Sequence, residues 1–496
     1  MNSTLKSIFQ KYINRLNSYS FDCNVKTFKL LDHQLMVKDI IKNIKDINNE
    51  QRGLILYHGL GSGKTLTSII SSYVYAKSKD IIILSPASLK DNYKNEIHKM
   101  NYDEKDFNII SYNTPKVIKD IKNLDNKFIV VDEAHNLFSM ISTNSKIGQY
   151  INEKFLEAKN TYFLFLTGTP IVNSPYEISL MCNILKPRLF FNKLYYSKDD
   201  FEDTYVLHEY NHKAFAEKIK GLVSYFGGIK NNKVFPRMNT KIVKLEMSQN
   251  QYNKYKYYDN LERRTFKINN KRNKLVKQSE MYKVYTRQVC NFSELDKTII
   301  DKIPNNDLRN NLHKYSVKYS KMINTIRYSL GPVLIYSNFK ETGIDIIAKI
   351  LELNNMTYLK WTGDENQKER EKNLKIFNSK QNMYGDEIKC FLITSAGAEG
   401  ISLKNVRQVH ILEPHWNLNR EQQVIGRALR LCSHNDLPQK DRYVNVYKYI
   451  ACYKKIKTTD MLINELAEKK YKIIQRFLDL LKESSIDCIF SYKSCI

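Results

Sequence analysis

No apolar run in this chain of 496 residues approaches the roughly 20 residues that a membrane span needs. Its clearest apolar blocks, such as 128–131 and 162–166, are far shorter. No two of the eight cysteines stand in C-x-x-C spacing, and no Cys/His cluster recurs. That pattern argues against a zinc site and leaves scattered, reduced thiols as the expectation. The N-terminus has no secretory apolar stretch, and no repeat or low-complexity tract stands out along the chain. Acidic residues are scarce, 52 against 79 Lys and Arg, for a net charge of +27.

Hydrophobic residues at 42% and charged residues at 26% exclude a mostly disordered chain and give enough apolar material for two or three domains. The chain is expected to be soluble. A charge of this size attracts polyanions, so nucleic acid is the leading partner and an anionic membrane a distant second. Codon bias in an AT-rich genome offers a second source for the lysine excess. The first 21 residues lack acid, carry Lys6, Lys11 and Arg15, and set Leu5, Ile8, Phe9, Tyr12 and Leu16 on one helical face. This pattern superficially resembles a mitochondrial presequence, but a helix docked on the first domain is the expectation.

From about residue 50, β-type runs alternate with helical patterns, the signature of a parallel α/β sheet. Strands are predicted at 54–57, 81–84, 107–111, 128–131 and 161–166. After Pro187 the rhythm breaks. Residues 251–287 hold eleven Lys and Arg against three acids, mixed with Tyr252, Tyr255, Tyr257, Tyr258 and Phe266. These tyrosines either stack on bases or pack inward from a solvated basic face. Strands resume at 333–336, 358–361, 391–394, 409–412 and 444–449, followed by a long amphipathic helix over 460–482. The predicted organisation is a docking segment at 1–30, a first α/β lobe at 31–190 and a basic, mainly helical insert at 191–325. A second α/β lobe at 326–455 and a helical tail at 456–496 complete it.

The sharpest local signal is His58-Gly-Leu-Gly-Ser-Gly-Lys-Thr65, between a predicted strand and a predicted helix. This is the context of a phosphate-binding loop. Gly59, Gly61 and Gly63, with Leu60 and Ser62 between them, let successive N–H groups point at phosphate oxygens, and the helix N-terminus adds positive charge. Lys64 reaches the β and γ phosphates of ATP, and the Thr65 hydroxyl can ligate Mg²⁺. His58 stands where the strict pattern has glycine. Sixty-eight residues beyond Lys64 stands Asp132, within Phe128-Ile-Val-Val-Asp-Glu-Ala-His135, which reads as a buried strand ending in two acids. Asp132 suits the Mg²⁺ shell and Glu133 the activation of water. Nucleotide hydrolysis is therefore expected.

His135 completes Asp-Glu-Ala-His, and with it the chain resembles the superfamily 2 helicases and translocases, from about residue 31 to 433. Leu31-Asp-His-Gln34 resembles the upstream glutamine motif, which implies that Gln34 reads adenine. Ser85-Pro-Ala-Ser-Leu-Lys-Asp-Asn-Tyr93 and Leu166-Thr-Gly-Thr-Pro-Ile-Val-Asn173 are similar to motifs Ia and III of the Swi/Snf branch. Trp361-Thr-Gly-Asp364, with Arg370 and Phe377, matches the branch's second lobe. Ser395-Ala-Gly-Ala-Glu-Gly-Ile-Ser-Leu403 resembles motif V, implying a nucleotide contact at Gly400, and Gln423-Val-Ile-Gly-Arg-Ala-Leu-Arg430 resembles motif VI. The 0, 3, 4, 7 spacing of Gln423, Gly426, Arg427 and Arg430 puts them on one helical face, from which two guanidiniums can stabilise a γ-phosphate in transition.

Within that superfamily, residues 398–410, Glu413-Pro-His-Trp-Asn417 and the tail around 469–474 and 480–488 are similar to the nucleoside triphosphatases of large cytoplasmic DNA viruses. That group includes the poxvirus-type nucleoside triphosphate phosphohydrolase I and the ATPase subunit of the early transcription factor. The resemblance implies two tandem RecA-like P-loop lobes with parallel sheets. It also implies a DNA-dependent motor in viral transcription, with duplex DNA favoured as track and RNA open. An RNA polymerase or transcription-factor partner, a place in the cytoplasmic virus factory and presence in the virion follow as further expectations. A strand-separating helicase and a promoter-binding subunit switched by ATP are the rival readings.

Overall fold

The computed structural model describes residues 3–18, 30–48, 50–59, 61–190, 197–227, 234–272, 283–364, 366–394 and 401–490; for 13–18, 266–272, 367 and 490 it describes the backbone alone. The chain divides into two compact units, Met1–Lys230 with Tyr471–Ile496, and Asn231–Lys470.

In the first unit, six strands run β1 Gly53–His58, β2 Asp80–Ser85, β3 Phe107–Ser111, β4 Lys127–Val131, β5 Tyr162–Thr167 and β6 Val223–Phe226. They form one sheet in the order β3-β2-β4-β5-β1-β6, every neighbour parallel. Alternation along a strand sends side chains to opposite faces. Ile55, Ile129, Val131, Phe163 and Phe165 enter one core, while Leu54, Leu56, Phe128, Val130, Leu164 and Leu166 enter another. Both faces are therefore covered, as an all-parallel sheet requires, and each fully buried aliphatic contributes about 1.5–3 kcal/mol. Gly53 opens β1 where a Cβ would fall 1.7 Å from the Phe163 carbonyl oxygen. The helix Ser3–Ser18 docks on this unit. Leu5, Ile8, Phe9 and Tyr12 join the second core, and Lys11 and the Tyr12 hydroxyl both bond Asp39, at 2.8 and 2.6 Å.

The second unit repeats the plan with β7 Arg237–Glu246, β8 Val333–Tyr336, β9 Tyr358–Trp361, β10 Cys390–Ile393, β11 Gln408–Ile411 and β12 Tyr443–Cys452. The order is β7-β12-β11-β8-β10-β9, again parallel throughout. Val333, Ile335, Cys390 and Leu392 face one core; Leu334, Tyr336, Phe391 and Ile393 face the other.

Two strands lie where the sequence predicts a helical insert. β6 joins the first sheet and β7 the second, so residues 191–325 are divided between the units instead of forming one body. β7 escapes sequence reading because its residues are exposed along most of its length, which leaves no apolar alternation. The tail is divided too. The helix Thr459–Glu483 begins in the second unit, and from Tyr471 onward the chain belongs to the first. Among the cysteines, Cys182, Cys290 and Cys390 are buried free thiols and Cys452 is free, whereas Cys432 and Cys488 are disulfide-bonded, contrary to the expectation of reduced thiols throughout. No described helix is long and apolar enough to cross a membrane.

Candidate nucleotide site

β1 ends at His58 and the helix Lys64–Tyr73 starts six residues on. Gly61 and Gly63 both sit at φ +75°, a region that favours glycine, and a Cβ on Gly63 would lie 2.4 Å from Gln34 Nε2. The Lys64 ammonium donates to the carbonyls of His58 (3.0 Å) and Gly59 (3.3 Å). Thr65 is half-buried in the first turn of the helix, and Ser62 is buried. Leu60 lies outside the described residues.

Gln34 is buried against this loop. Its Oε1 accepts from the Leu31 N–H at 2.8 Å, and its Nε2 donates to the Gly63 carbonyl at 3.3 Å. The amide thus bridges the N-terminus of its own helix, Asp32–Lys42, and the phosphate loop. Beside it, His33 Nε2 lies 2.9 Å from the Ser62 carbonyl, and the His33 ring stacks on Phe226 at 3.9 Å. His58 is fully buried, with Nε2 3.0 Å from Ser224 Oγ. Burial lowers the pKa of both imidazoles, that of His33 to about 4.

The acids follow β4. The Asp132 N–H donates to the Leu84 carbonyl at 2.8 Å, continuing the sheet, and then the backbone turns sharply. Glu133 takes φ +46°, a left-handed conformation that costs a side-chain-bearing residue about 1–3 kcal/mol. Two contacts hold it. The Tyr112 hydroxyl donates to the carbonyls of Asp132 (3.2 Å) and Glu133 (3.3 Å), and the Glu133 N–H donates to Asp132 Oδ1 (2.9 Å). The Asp132 carboxyl is raised above the usual range, first by burial and then by the Glu133 charge, with the Lys64 ammonium acting in the opposite direction. Tyr93, the last residue of the motif Ia string, is buried where the Asp132 charge acts on it, and its hydroxyl lies 3.3 Å from Ser68 Oγ. His135 is buried, and that burial lowers its pKa against the opposing Glu133 charge. Its Nδ1 lies 3.0 Å from Thr167 Oγ1 and 3.4 Å from Glu133 Oε2.

β4, β5 and β1 are consecutive and parallel, so Asp132, Thr167 and the phosphate loop share the C-terminal edge of the sheet, where ligands of open α/β sheets sit. Tyr112 and Phe226 carry no local sequence mark, and Thr167 and His33, although inside the motif III and glutamine-motif strings, are given no role by them. Only the topology puts them beside Lys64 and Glu133.

In the second unit, Gln423, Gly426 and Arg427 lie on the helix Leu418–Ala428. The expected single helical face is corrected at Arg430: the backbone leaves the helix at Leu429 (φ −98°, ψ 85°), and Arg430 follows it. Its Nε nevertheless donates to the Gly426 carbonyl at 3.3 Å, folding it back over the last turn. The Leu403 N–H donates to the Arg427 carbonyl at 3.0 Å and ties the end of motif V to motif VI. Gly400, with 395–399, lies outside the described residues.

The basic stretch begins in the helix Gln249–Arg272. Tyr255 is buried with its hydroxyl 3.1 Å from Thr459 Oγ1, Tyr252 stacks on Tyr453 at 3.6 Å, and Tyr258 stacks on Tyr285. These three pack inward, whereas Tyr257 is exposed.

Comparison with known proteins adds the following. Residues 99–295 match the SNF2-related domain, 317–432 the helicase conserved C-terminal domain, and 434–496 the nucleoside triphosphatase I C-terminal domain. An Acanthamoeba polyphaga mimivirus protein named as an ATP-dependent RNA helicase is 31% identical, across 88% of this chain and 86% of the relative. A termination factor NPH-I homolog of African swine fever virus (isolate Tick/Malawi/Lil 20-1/1983) is 28% identical, across 99% of this chain and 84% of the relative. Among solved structures, the Sulfolobus solfataricus SWI2/SNF2 ATPase core in complex with dsDNA aligns over 92% of this chain and 97% of that chain, at 16% identity and a TM-score of 0.37. The chain belongs to the SNF2-related helicase family, in the branch of nucleic-acid-dependent ATPases that includes the NPH-I homologues of large DNA viruses.

Proposed function

We propose that this chain binds ATP on the loop 58–65 and couples its hydrolysis to movement along duplex DNA during viral transcription. The observation that carries this reading is the convergence of Lys64, the strained Asp132–Glu133 turn and the His135–Thr167 contact at one sheet edge. The Lys64 ammonium, now on loop carbonyls, would exchange them for phosphate oxygens. Thr65 and Asp132 offer a hydroxyl and a buried carboxylate, the hard oxygen donors that suit Mg²⁺ completed by phosphate and water. When bound, that ion would neutralise charge on the phosphates. Glu133, strained and partly exposed, is placed to take a proton from the attacking water. Gln34 contributes by holding the loop, with the adenine contact as a second duty of its amide. Arg427 and Arg430 act on the γ-phosphate, with Gln423 beside them.

One relative's printed name, RNA helicase, supplies the rival track to be compared with duplex DNA. ATP turnover measured with duplex DNA, single-stranded DNA and RNA separates them: strongest stimulation by duplex DNA is expected, and stimulation by RNA alone would overturn the duplex reading. Lys64→Ala should abolish turnover while leaving DNA binding intact, and unchanged turnover would sink the loop assignment. Copurification with an RNA polymerase or a transcription-factor subunit from the virus factory is the corresponding test of the partner. The inward-packed tyrosines favour a phosphate-contacting role for the insert over base stacking. Charge reversal at Lys271, Arg272 and Lys274 is then expected to flatten the salt dependence of DNA binding.

A further inference from the structure

Among the described residues, β6 is the outermost strand of the first sheet and bonds β1 on one side only. An edge strand presents unpaired N–H groups on its free side. Here the C-terminal segment meets them. The Tyr225 N–H donates to Asp487 Oδ2 at 2.6 Å, and the Gly221 N–H donates to the Ser484 carbonyl at 3.2 Å. The Ser224 hydroxyl acts on the Asp487 carboxyl, lowering its pKa against the larger effect of burial, and Ser224 Oγ lies 3.0 Å from His58 Nε2. Polar groups thus lead from Asp487, through Ser224 and its neighbour Tyr225, to the first residue of the loop 58–65.

The direction of that line follows from its ends. Among the described residues His58 Nδ1 is buried without a hydrogen-bond partner, and an orphaned lone pair is tolerated better there than an orphaned N–H. The imidazole proton therefore sits on Nε2 and is donated to Ser224 Oγ. Ser224 Oγ then accepts from His58, which leaves its own hydroxyl proton for the Asp487 carboxylate, a group that only accepts. What the line fixes is the entry to the loop. The His58 carbonyl receives the Lys64 ammonium, and the next N–H, of Gly59, donates to the Phe226 carbonyl at 2.8 Å. Histidine in place of the pattern's glycine thereby acquires a purpose, since glycine offers nothing for Ser224 to hold.

We infer that Asp487, acting through Ser224 and His58, is a positioning residue for the phosphate loop, so that the docked C-terminal segment sets how well the loop grips ATP. The inference rests on the reading of Lys64 as the phosphate ligand.

The test uses the full chain and steady-state ATP hydrolysis. Ser224→Ala removes the relay but leaves the Tyr225–Asp487 bond. Asp487→Asn keeps shape and the bond to Tyr225 but removes the charge that orients Ser224. Each is expected to raise KM for ATP about 3- to 10-fold, the scale of one hydrogen bond, with a much smaller change in kcat. The double variant should be no worse than the more affected single one, because the two act as a unit. Ser224→Thr, which keeps a hydroxyl, should restore KM. Unchanged KM in Ser224→Ala, additive effects in the double variant, or losses that only follow the thermal midpoint would overturn the inference. Should Asp487→Asn fail to fold, the Ser224→Ala and Ser224→Thr pair decides alone. Lys64→Ala run beside them separates the two readings. If it leaves turnover intact, the loop assignment falls; if it abolishes turnover while Ser224→Ala behaves as the unmodified chain, only the positioning role falls.

Discussion

Glu133 shows how a single residue's backbone can be shaped by a side chain that no motif contains. Its backbone takes a left-handed turn directly after β4, and Tyr112, twenty-one residues earlier, bonds the carbonyls of Asp132 and Glu133 at that turn. Tyr112→Phe removes both bonds and keeps the ring in its core. It is expected to cost about 1 kcal/mol in thermal unfolding and to lower kcat more than it changes KM. Glu133→Gln should leave ATP binding intact and stop hydrolysis, which binding of a fluorescent ATP analogue beside a turnover assay would check. Asp132 and Glu133 were legible in the sequence because an apolar strand runs directly into them. Tyr112 was not, because its bond depends on β3 and β4 flanking β2 in the same sheet.

At the scale of elements, two carboxylates of the C-terminal region fasten it in different ways. Asp460, in the first turn of Thr459–Glu483, forms a fully buried ion pair with Lys318 at 2.5 Å and accepts from the Ala451 N–H at 2.9 Å. Lys318 also donates to the Leu412 carbonyl and to Asn291 Oδ1. Lys318→Met strands a buried charge and should destabilise the second unit by about 3–5 kcal/mol in urea unfolding, with part recovered in Lys318→Met/Asp460→Asn. Asp487 runs the other way. Burial raises its carboxyl from 3.8 to about 6, so the folded state holds the proton more tightly than the unfolded one. Its contribution is favourable below pH 4 and is lost as pH rises through 6. Asp487→Asn should therefore stabilise the chain by about 1–2 kcal/mol at pH 8 and by little at pH 4, even while it weakens ATP binding. A thermal midpoint that fell at pH 8 would contradict this. Ten of the twelve strands could be read from short apolar runs with few errors at their ends. β6, only four residues long, and β7, exposed on an edge, gave no such run.

Over the whole molecule, histidines set the response to acid. Burial lowers His33, His415 and His434 to about 4, and His410 to about 3. A depressed histidine stabilises the fold above its ordinary pKa of 6.5, and that contribution is lost as pH falls toward the folded value. At pH 5 each should cost about 2 kcal/mol relative to pH 7.5, enough for both units to lose urea resistance together. A flat profile between those pH values would refute it. Lys64 belongs to the first unit and Arg427 and Arg430 to the second, and the proposed function assigns both sets to hydrolysis. Arg427→Ala or Arg430→Ala should then slow turnover about a thousand-fold with ATP still bound by the first unit. Loss of DNA binding alone would reassign those residues to the track.

The sequence by itself determined the two parallel α/β sheets, the glycine-rich turn between β1 and the helix Lys64–Tyr73, and the acids after β4. Each is written in contiguous residues, through side-chain alternation, glycines at fixed offsets or an apolar run ending in charge. Only the tertiary structure decided where the insert and the tail belong and what His58 is for. Those outcomes turn on pairs such as Tyr225 and Asp487, which lie 262 residues apart and meet because an edge strand leaves N–H groups that something must receive.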